Sequence, residues 1–403
     1  MNNLDCEWSI SFIPFWEIIL SIVLSLLLAG CQQDKSDSKV PNAAEEAENW
    51  SFPVLTELDE AIANEMLGSN VPGLAACVIK GGQTVWCNGY GYADLESERL
   101  VDTKTPFMLA SVSKTVTGVA LMQLIDENAL SLDSPINDLL DFEVNHPEDN
   151  QAMTPRMLMS HASGIADNWN VMGNLYADGD SPIELGNFLE GYLTPGGQWY
   201  NANQNFISSG VASKVQYSNI GAALVGHLVE AVTGDAFSSY TENNIFAPLE
   251  MSNTGWFISD FEADTVAVPY EWYDGEWHRV NHYGYPDYPD GSLRTGAEQL
   301  SQFLRMFSNG GQLEEALILS EDAVSEMNRA HYPELDSEQG LIWYRWTFEG
   351  QSIIGHNGGD IGVSTEMGLR EDGVGFVILM NSDGRSNTLS RIEAMMFEAA
   401  EAL

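Results

Sequence analysis

Positive charge is scarce in this 403-residue chain: Lys plus Arg number 16 against 59 Asp plus Glu, a formal net charge of −43. The acids are spread along the chain rather than gathered in one tail. Such a field repels phosphate backbones and anionic membrane surfaces, which excludes nucleic acid as a partner. A dispersed carboxylate excess suits folding in salty surroundings, where screening weakens self-repulsion, and it equally suits plain solubility. Cysteine is also rare. There are four, none spaced Cys-x-x-Cys, so no zinc site is indicated. No internal repeat is present. The apolar run from Ile18 to Ala29, broken only by Ser21 and Ser25, is too short to be a comfortable spanning helix.

That run has the length of a signal-peptide core, and residues 1–30 read as an export signal. It ends in Leu28-Ala29-Gly30-Cys31, which resembles the bacterial lipobox, in which the cysteine is lipidated and becomes the new N-terminus. Asp5, Glu7 and Glu17 precede or enter the run where a signal normally carries Lys or Arg. Residues 31–50 are polar and acidic without an apolar period, the pattern of a flexible tether. The expected protein is therefore exported to a bacterial periplasm. A lipid on Cys31 would be its only membrane contact. Removing the leader leaves roughly 350 residues, enough for one large domain or two lobes.

Val54 to Met66 has a helical period. Leu74 to Ile79 and Thr84 to Gly91 form a hairpin across Gly81-Gly82. A two-residue loop pairs Lys80 with Gln83, sets Cys77 opposite Trp86 and turns Cys87 to the other face. This register predicts two free thiols, whereas a three-residue loop would bring the sulfurs together. Helical patterns follow: one after Ser111, one from Thr154-Pro155, one over Asn219 to Thr233 closed by Gly234, and one over Thr295 to Phe307. The C-terminal third reads as strands at Leu341–Phe348, Ser352–Asn357, Gly362–Leu369 and Val374–Asn381, then a closing helix from Ser386. Strands at both ends with helices between predict an α+β fold. The N-terminal hairpin pairs with C-terminal strands, and a helical lobe is inserted in the middle.

Three stretches carry chemistry. Ser111 stands where a helix starts, a position a serine also takes as a simple cap. Lys114 lies one turn on, so the two side chains share a face. A serine hydroxyl needs a base, and a lysine amine serves only if its surroundings hold it neutral. The backbone N–H at a helix start also suits an oxyanion. Ser-x-x-Lys alone is weak, since Ser36-Asp-Ser-Lys39 repeats it in the polar tether. Tyr217-Ser-Asn219 precedes a helix: a phenol beside cations can act as a base, and an amide can hold a carbonyl. Core packing for Tyr217 and helix capping for Asn219 are the plainer readings. His356-Asn-Gly-Gly359 lies on a strand, with glycines that let backbone approach a ligand closely.

Taken together, Ser111-Val-Ser-Lys114, Tyr217-Ser-Asn219 and His356-Asn-Gly358 resemble the three motifs of the serine β-lactamase and penicillin-binding-protein superfamily. The class C-like branch, with its esterases and D-amino-acid peptidases, is the most similar. The likeness runs from about Val71 to Asn381 and includes Val71-Pro-Gly-Leu74, Ser160-His-Ala-Ser-Gly164 and Leu379-Met-Asn-Ser382. It implies a five-stranded antiparallel sheet flanked by helices and an all-helical lobe over roughly 111–290, within a catalytic domain at 51–403. It implies no metal or other cofactor. By the same resemblance Ser111 is the acylated nucleophile, and Lys114 is its proton acceptor or the activator of Tyr217. Tyr217 is the general base, and Asn219 positions the substrate. The N–H groups of Ser111 and Gly359 form the oxyanion hole, with His356 and Gly358 beside it. His161 and Ser163 look structural.

Two departures are visible. His-Asn-Gly stands where penicillin-cleaving members usually have Lys-Thr-Gly, which removes a fixed cation for a substrate carboxylate. Gly210-Val-Ala-Ser-Lys214 stands where Pro-Gly usually precedes the tyrosine. The expected function is an exported, esterase-like serine hydrolase of small esters, amides or peptide-like substrates. A β-lactamase, a D-amino-acid peptidase and a non-catalytic protein of the same fold are the alternatives.

Overall fold

The protein is described by a computed structural model covering residues 39–46 and 52–403. The export signal at 1–30, Cys6, Cys31 and Ser36 lie outside the described residues. Strand β1 (Gly73–Lys80) turns into β2 (Gln83–Asp94), which folds back to the two-residue β3 (Arg99–Leu100). The chain returns to the sheet as β4 (Tyr344–Phe348), β5 (Gln351–Asp360), β6 (Val363–Arg370) and β7 (Gly375–Met380). The order is β4-β5-β6-β7-β1-β2-β3, antiparallel throughout, so β1 does pair with the C-terminal β7.

The sheet has seven strands rather than the expected five. Of its two edges, Tyr344–Phe348 falls within the strand read at Leu341–Phe348, and Arg99–Leu100 is the strand not read from the sequence. Tyr344–Phe348 pairs only with β5, and Arg99–Leu100 pairs with the end of β2 after Glu98 takes a positive φ of 54°. A two-residue strand is too short to show a period of two.

The free-thiol expectation is also corrected: Cys77 and Cys87 are bonded, their Cα atoms 4.0 Å apart. The hairpin loop is the two-residue one, with Lys80 opposite Gln83 and Ile79 opposite Thr84. A bulge then shifts the register between Ile79 and Val78, so Val78 faces Trp86 and Cys77 faces Cys87. One extra residue in β2 reverses which side chains share a face.

Part of the expected flexible tether is docked. Val40 and Ala43 are buried, the Asn88 side chain donates to Asn42 Oδ1 at 2.9 Å, and Gly91 N donates to the Pro41 carbonyl at 2.8 Å. These two hydrogen bonds to β2 fix a polar segment that has no periodicity of its own.

Six longer helices complete the frame: α1 (Thr56–Ser69), α2 (Ser113–Asp126), α3 (Leu185–Leu193), α4 (Asn219–Thr233), α5 (Ala297–Ser308) and α6 (Ser386–Ala402). Helices α1 and α6 bury Leu58, Ile62, Met66, Ile392 and Met396 against Phe376 and Ile378 on one face of the sheet. On the other face Leu300 and Leu304 of α5 join Val377, Leu379 and the helical region in one continuous core.

Helix α2 is the axis of that core. Every residue from Ser113 to Leu124 is buried, the pattern of a helix packed on all sides. Two of its buried hydroxyls are satisfied by carbonyls: Thr115 Oγ1 donates to the Val112 carbonyl at 2.7 Å, and Thr117 Oγ1 to the Pro289 carbonyl at 2.6 Å. Gly118 admits Ile342, whose Cγ1 would lie 3.0 Å from a Cβ there. The N-terminal end of α2 is thereby fixed under the edge of β5.

Candidate active site

Ser111 sits in a single 3-10 turn, Ala110–Val112, just before α2. It does not cap the helix: no side-chain cap bond exists at either turn or helix. Its hydroxyl instead accepts from Lys114 Nζ at 3.0 Å. Ala110 is held at a φ of 46°, a left-handed conformation that is strained for a residue with a Cβ.

The turn is pressed against β5. A Cβ on Gly358 would lie 2.4 Å from the Leu109 carbonyl oxygen and 3.1 Å from Ser111 N, so this contact requires glycine. Gly359 has open space around it and lines the cavity. Thr365 Oγ1 on β6 ties down the same turn by donating to the Leu109 carbonyl at 2.6 Å.

Lys114 is fully buried, at 0% exposure, and also donates to the Asp290 carbonyl at 2.7 Å. Burial pulls its pKa down, but Tyr217, Asp290 and Asp167 nearby outweigh it and hold the ammonium charged above its ordinary value. The neutral amine needed for direct proton capture is therefore not favoured here. Nζ lies 5.0 Å from the centre of the Tyr217 ring. Tyr217 is 42% exposed at the cavity mouth, so it is not the half-buried core residue of the plainer reading.

Asn219 is not the cap of α4. Ser218 is, accepting from Gly221 N at 2.9 Å, and Asp167 accepts from the backbone N–H groups of Asn219 and Ile220 at 3.0 and 3.2 Å. The Asn219 side chain is left to line the cavity.

His356 is 2% exposed and its pKa falls to about 3, because burial and then the Lys114 charge oppose protonation. Its Nδ1 donates to the Asn357 carbonyl at 2.6 Å, and the buried Nε2 has no partner. His161 is likewise lowered to about 3 by burial first. Its ring packs 4.5 Å from Tyr217, and its Nδ1 accepts from Ser218 N at 3.3 Å. It braces the Tyr217 loop, as the structural reading expected.

Two cavities meet at Ser111. One, of about 530 Å³, is lined by Ser111, Tyr217, Asn219 and Gly359 together with Asp167, Asp287, Asp290 and Asp360. The other, of about 340 Å³, is lined by Ser111, Tyr217, Tyr344, His356, Asn357 and Gly359. Every candidate site position among the described residues comes to this one place, though Lys114 and Gly358 stand behind the walls. Sequence reasoning missed the carboxylates. They are scattered between Asp167 and Asp360 of an acid-rich chain, and only the fold gathers them.

Residues 58–400 match the Beta-lactamase family. Among characterised proteins, Protein flp of Staphylococcus aureus (strain NCTC 8325 / PS 47) is 22% identical over 63% of this chain and 49% of its own length. This chain thus spans about half the length of the curated relatives of that kind it matches. Among solved structures, the octameric penicillin-binding protein homologue from Pyrococcus abyssi is 23% identical over 85% of this chain and 77% of that one, with a TM-score of 0.67. The D-amino acid amidase from Ochrobactrum anthropi SV3 is 20% identical over 85% of this chain and 100% of that one, with a TM-score of 0.68. At that identity the structures establish the fold, which is the β-lactamase and penicillin-binding-protein one, while the match over most of the chain establishes the family. The chain belongs to the Beta-lactamase family, within the serine β-lactamase and penicillin-binding-protein superfamily.

Proposed function

We propose that this protein is an exported serine hydrolase that works through an acyl-enzyme on esters or amides and is esterase-like in preference. The observation that carries the reading is the contact of Lys114 Nζ with the Ser111 hydroxyl at 3.0 Å, beside Tyr217, where two cavities join. In this reading the Tyr217 oxygen, with the Lys114 ammonium beside it, takes the Ser111 proton. The Ser111 oxygen then bonds to the acyl carbon. The developing oxyanion meets the N–H groups of Ser111 and Gly359. The bond to the leaving group breaks as Tyr217 returns the proton to it. Water, deprotonated by Tyr217, then attacks the acyl carbon, and the Ser111 oxygen leaves with that proton.

The esterase preference follows from charge. A penicillin-like substrate brings a carboxylate, and neither cavity is lined by Lys or Arg among the described residues. The two arginines that flank the third motif are engaged elsewhere. Arg345 donates to the Asn328 carbonyl, and Arg370 pairs with Asp372 and Glu401. His356 stays neutral. The Cys77–Cys87 disulfide supports export, since such bonds persist in oxidising compartments. A diacylglyceryl-modified N-terminus at Cys31, read by mass spectrometry of the membrane fraction, tests the anchor. A soluble chain still starting at Met1 rejects it.

The test of the chemistry is a fluorophosphonate probe followed by a substrate panel. Native protein should be labelled and Ser111→Ala should not, and equal labelling rejects Ser111. A neutral short-chain ester should have a higher kcat/KM than nitrocefin at low and at high salt. Nitrocefin ahead at both identifies a β-lactamase instead, and labelling without turnover identifies a non-catalytic penicillin-recognising protein.

A further inference from the structure

We propose that Asp167 is a positioning residue: its carboxylate holds the Tyr217-Ser218-Asn219 segment so that the proposed base and the proposed substrate amide face Ser111 together. The inference rests on the acyl-enzyme reading and adds the group that aligns it.

Tyr217 stands just before α4, where the first backbone N–H groups have no partner inside the helix. Three successive ones are taken up from outside the segment. Ser218 N donates to His161 Nδ1 at 3.3 Å, Asn219 N to Asp167 Oδ2 at 3.0 Å, and Ile220 N to Asp167 Oδ1 at 3.2 Å. The Ser218 hydroxyl also donates to Asp167 Oδ1, at 3.1 Å, and accepts from Gly221 N at 2.9 Å. Both carboxylate oxygens thus receive donors, which is the arrangement of an ionised acid. Burial raises the Asp167 pKa in spite of these donors and of the Lys114 charge.

Asp167 is itself held from both sides. Before it, Ala166 N donates to the Asn205 carbonyl at 2.8 Å. After it, Asn168 N donates to the Tyr192 hydroxyl at 2.7 Å, and that hydroxyl donates to the Ala166 carbonyl at 2.8 Å. Asn205 is tied in turn, its Nδ2 donating to the Tyr192 and Trp199 carbonyls, both at 2.9 Å. The carboxylate therefore sits on a backbone step pinned to α3, and it imposes a position instead of following one.

Stability alone does not call for this arrangement, because Ser218 already caps α4. Position does. Tyr217 is 42% exposed at the cavity mouth, so packing cannot hold its ring as it would in a core. Its neighbours there are the His161 ring at 4.5 Å and Lys114 Nζ at 5.0 Å from the ring centre. Fixing the backbone on its C-terminal side limits where the phenol and the Asn219 amide can point. Asp167 forms and breaks no bond and moves no proton.

The test measures kcat and KM for a neutral short-chain ester, and the rate of fluorophosphonate labelling, in native protein, Asp167→Asn and Asp167→Ala. The asparagine keeps the size but turns an amide donor toward a backbone N–H. In both variants kcat and the labelling rate should fall by about ten- to a hundredfold, the scale of a misplacement of about 1 Å. Two readouts separate alignment from plain stability. Asp167→Ala leaves the N–H groups open to the cavity, so formate should refill the notch and raise the labelling rate, and sodium chloride at the same ionic strength should not. In Asp167→Asn the alkaline limb of kcat/KM should move to lower pH. The groups around Lys114 are Tyr217, Asp167, Asp287 and Asp290, with His161 and His356 neutral, and removing one anion loosens the ammonium proton.

Native rates in both variants overturn the proposal. So does a loss that formate does not reverse and that leaves the alkaline limb in place, since Asp167 then serves stability alone. Should Asp167→Ala fail to fold by circular dichroism, the pH profile of Asp167→Asn decides. Labelled native protein with unaffected variants rejects this inference and leaves the serine reading standing. Unlabelled native protein rejects the serine reading and this inference with it.

Discussion

The two cavities that flank Ser111 share Ser111, Tyr217 and Gly359 and differ in everything else. The larger is walled by carboxylates and aromatic rings. The smaller is walled by Tyr344, a neutral His356 and Asn357. The shared residues are those proposed to make and break bonds, so, Asp167 apart, the difference concerns selectivity and not mechanism. One wall carries four carboxylates, and the other has no charged side chain with which to hold an anion. Burial alone does not explain this. Glu366 on β6 is also buried, with its pKa raised to about 8 by desolvation and then Glu393, but it lines neither cavity. Its Oε2 has no partner.

The comparison can be broken at the shared centre first. Tyr217→Phe removes the proposed base from both sides at once. It should lower kcat for a neutral short-chain ester and for nitrocefin alike by roughly 10²–10⁴, with the ratio between them kept. Steady-state kinetics on both substrates checks this, and a loss confined to one would place Tyr217 in a single cavity's specificity.

The wall of the smaller cavity is the next target. His356→Lys installs the missing cation and should move the nitrocefin-to-ester ratio toward nitrocefin by about one to two powers of ten. An unchanged ratio would mean that charge at this wall does not decide selectivity.

Gly358→Ala attacks the joint between the cavities. Its Cβ would come within 2.4 Å of the Leu109 carbonyl oxygen and the Thr365 hydroxyl, pushing the Ser111 turn off β5. Overpacking of this kind costs about 1–3 kcal/mol in thermal or urea unfolding, and labelling of Ser111 should slow with it. Normal stability and normal labelling would show that the turn gives way easily.

Glu366→Gln is the contrast without a cavity. The folded pKa of about 8 lies above the ordinary 4.5, so the folded protein holds this proton more tightly than the unfolded chain. The benefit is complete below pH 4.5 and is lost as pH rises toward 8. The variant should therefore gain stability over native protein as pH rises from 5 to 9, by about 2–4 kcal/mol, while the nitrocefin-to-ester ratio stays put. Unfolding at both pH values measures it, and a pH-independent difference would show Glu366 ionised throughout.

How much of this was legible beforehand depends on the kind of signal. Helix α4 was readable to its last residue because an apolar period ends at Gly234, which takes a φ of 78°. The strands of the C-terminal third were readable because their glycines and apolar runs mark turns and buried faces. The disulfide was not. Its register turns on a bulge at Val78 and Ile79, a single extra residue that leaves no trace in composition. Neither was the cap of α4, since Ser218 and Asn219 are both good caps and only the backbone path chooses between them.

Local rules fixed the residues that touch their neighbours in the chain. Ser111 and Lys114 are one turn apart, so their contact was decided by helix geometry wherever that helix went. Family, fold class and the three motifs belong to the same category, because each is a pattern in short stretches. The protonation state of Lys114 does not belong to it. Tyr217, Asp290 and Asp167, which hold it charged, arrive from three distant segments. The same holds for the acidic wall, where Asp167, Asp287, Asp290 and Asp360 are four among 59 acids until the chain folds. Electrostatic energy depends on distance through space and on the water that burial removes, and neither quantity exists until the tertiary structure sets it.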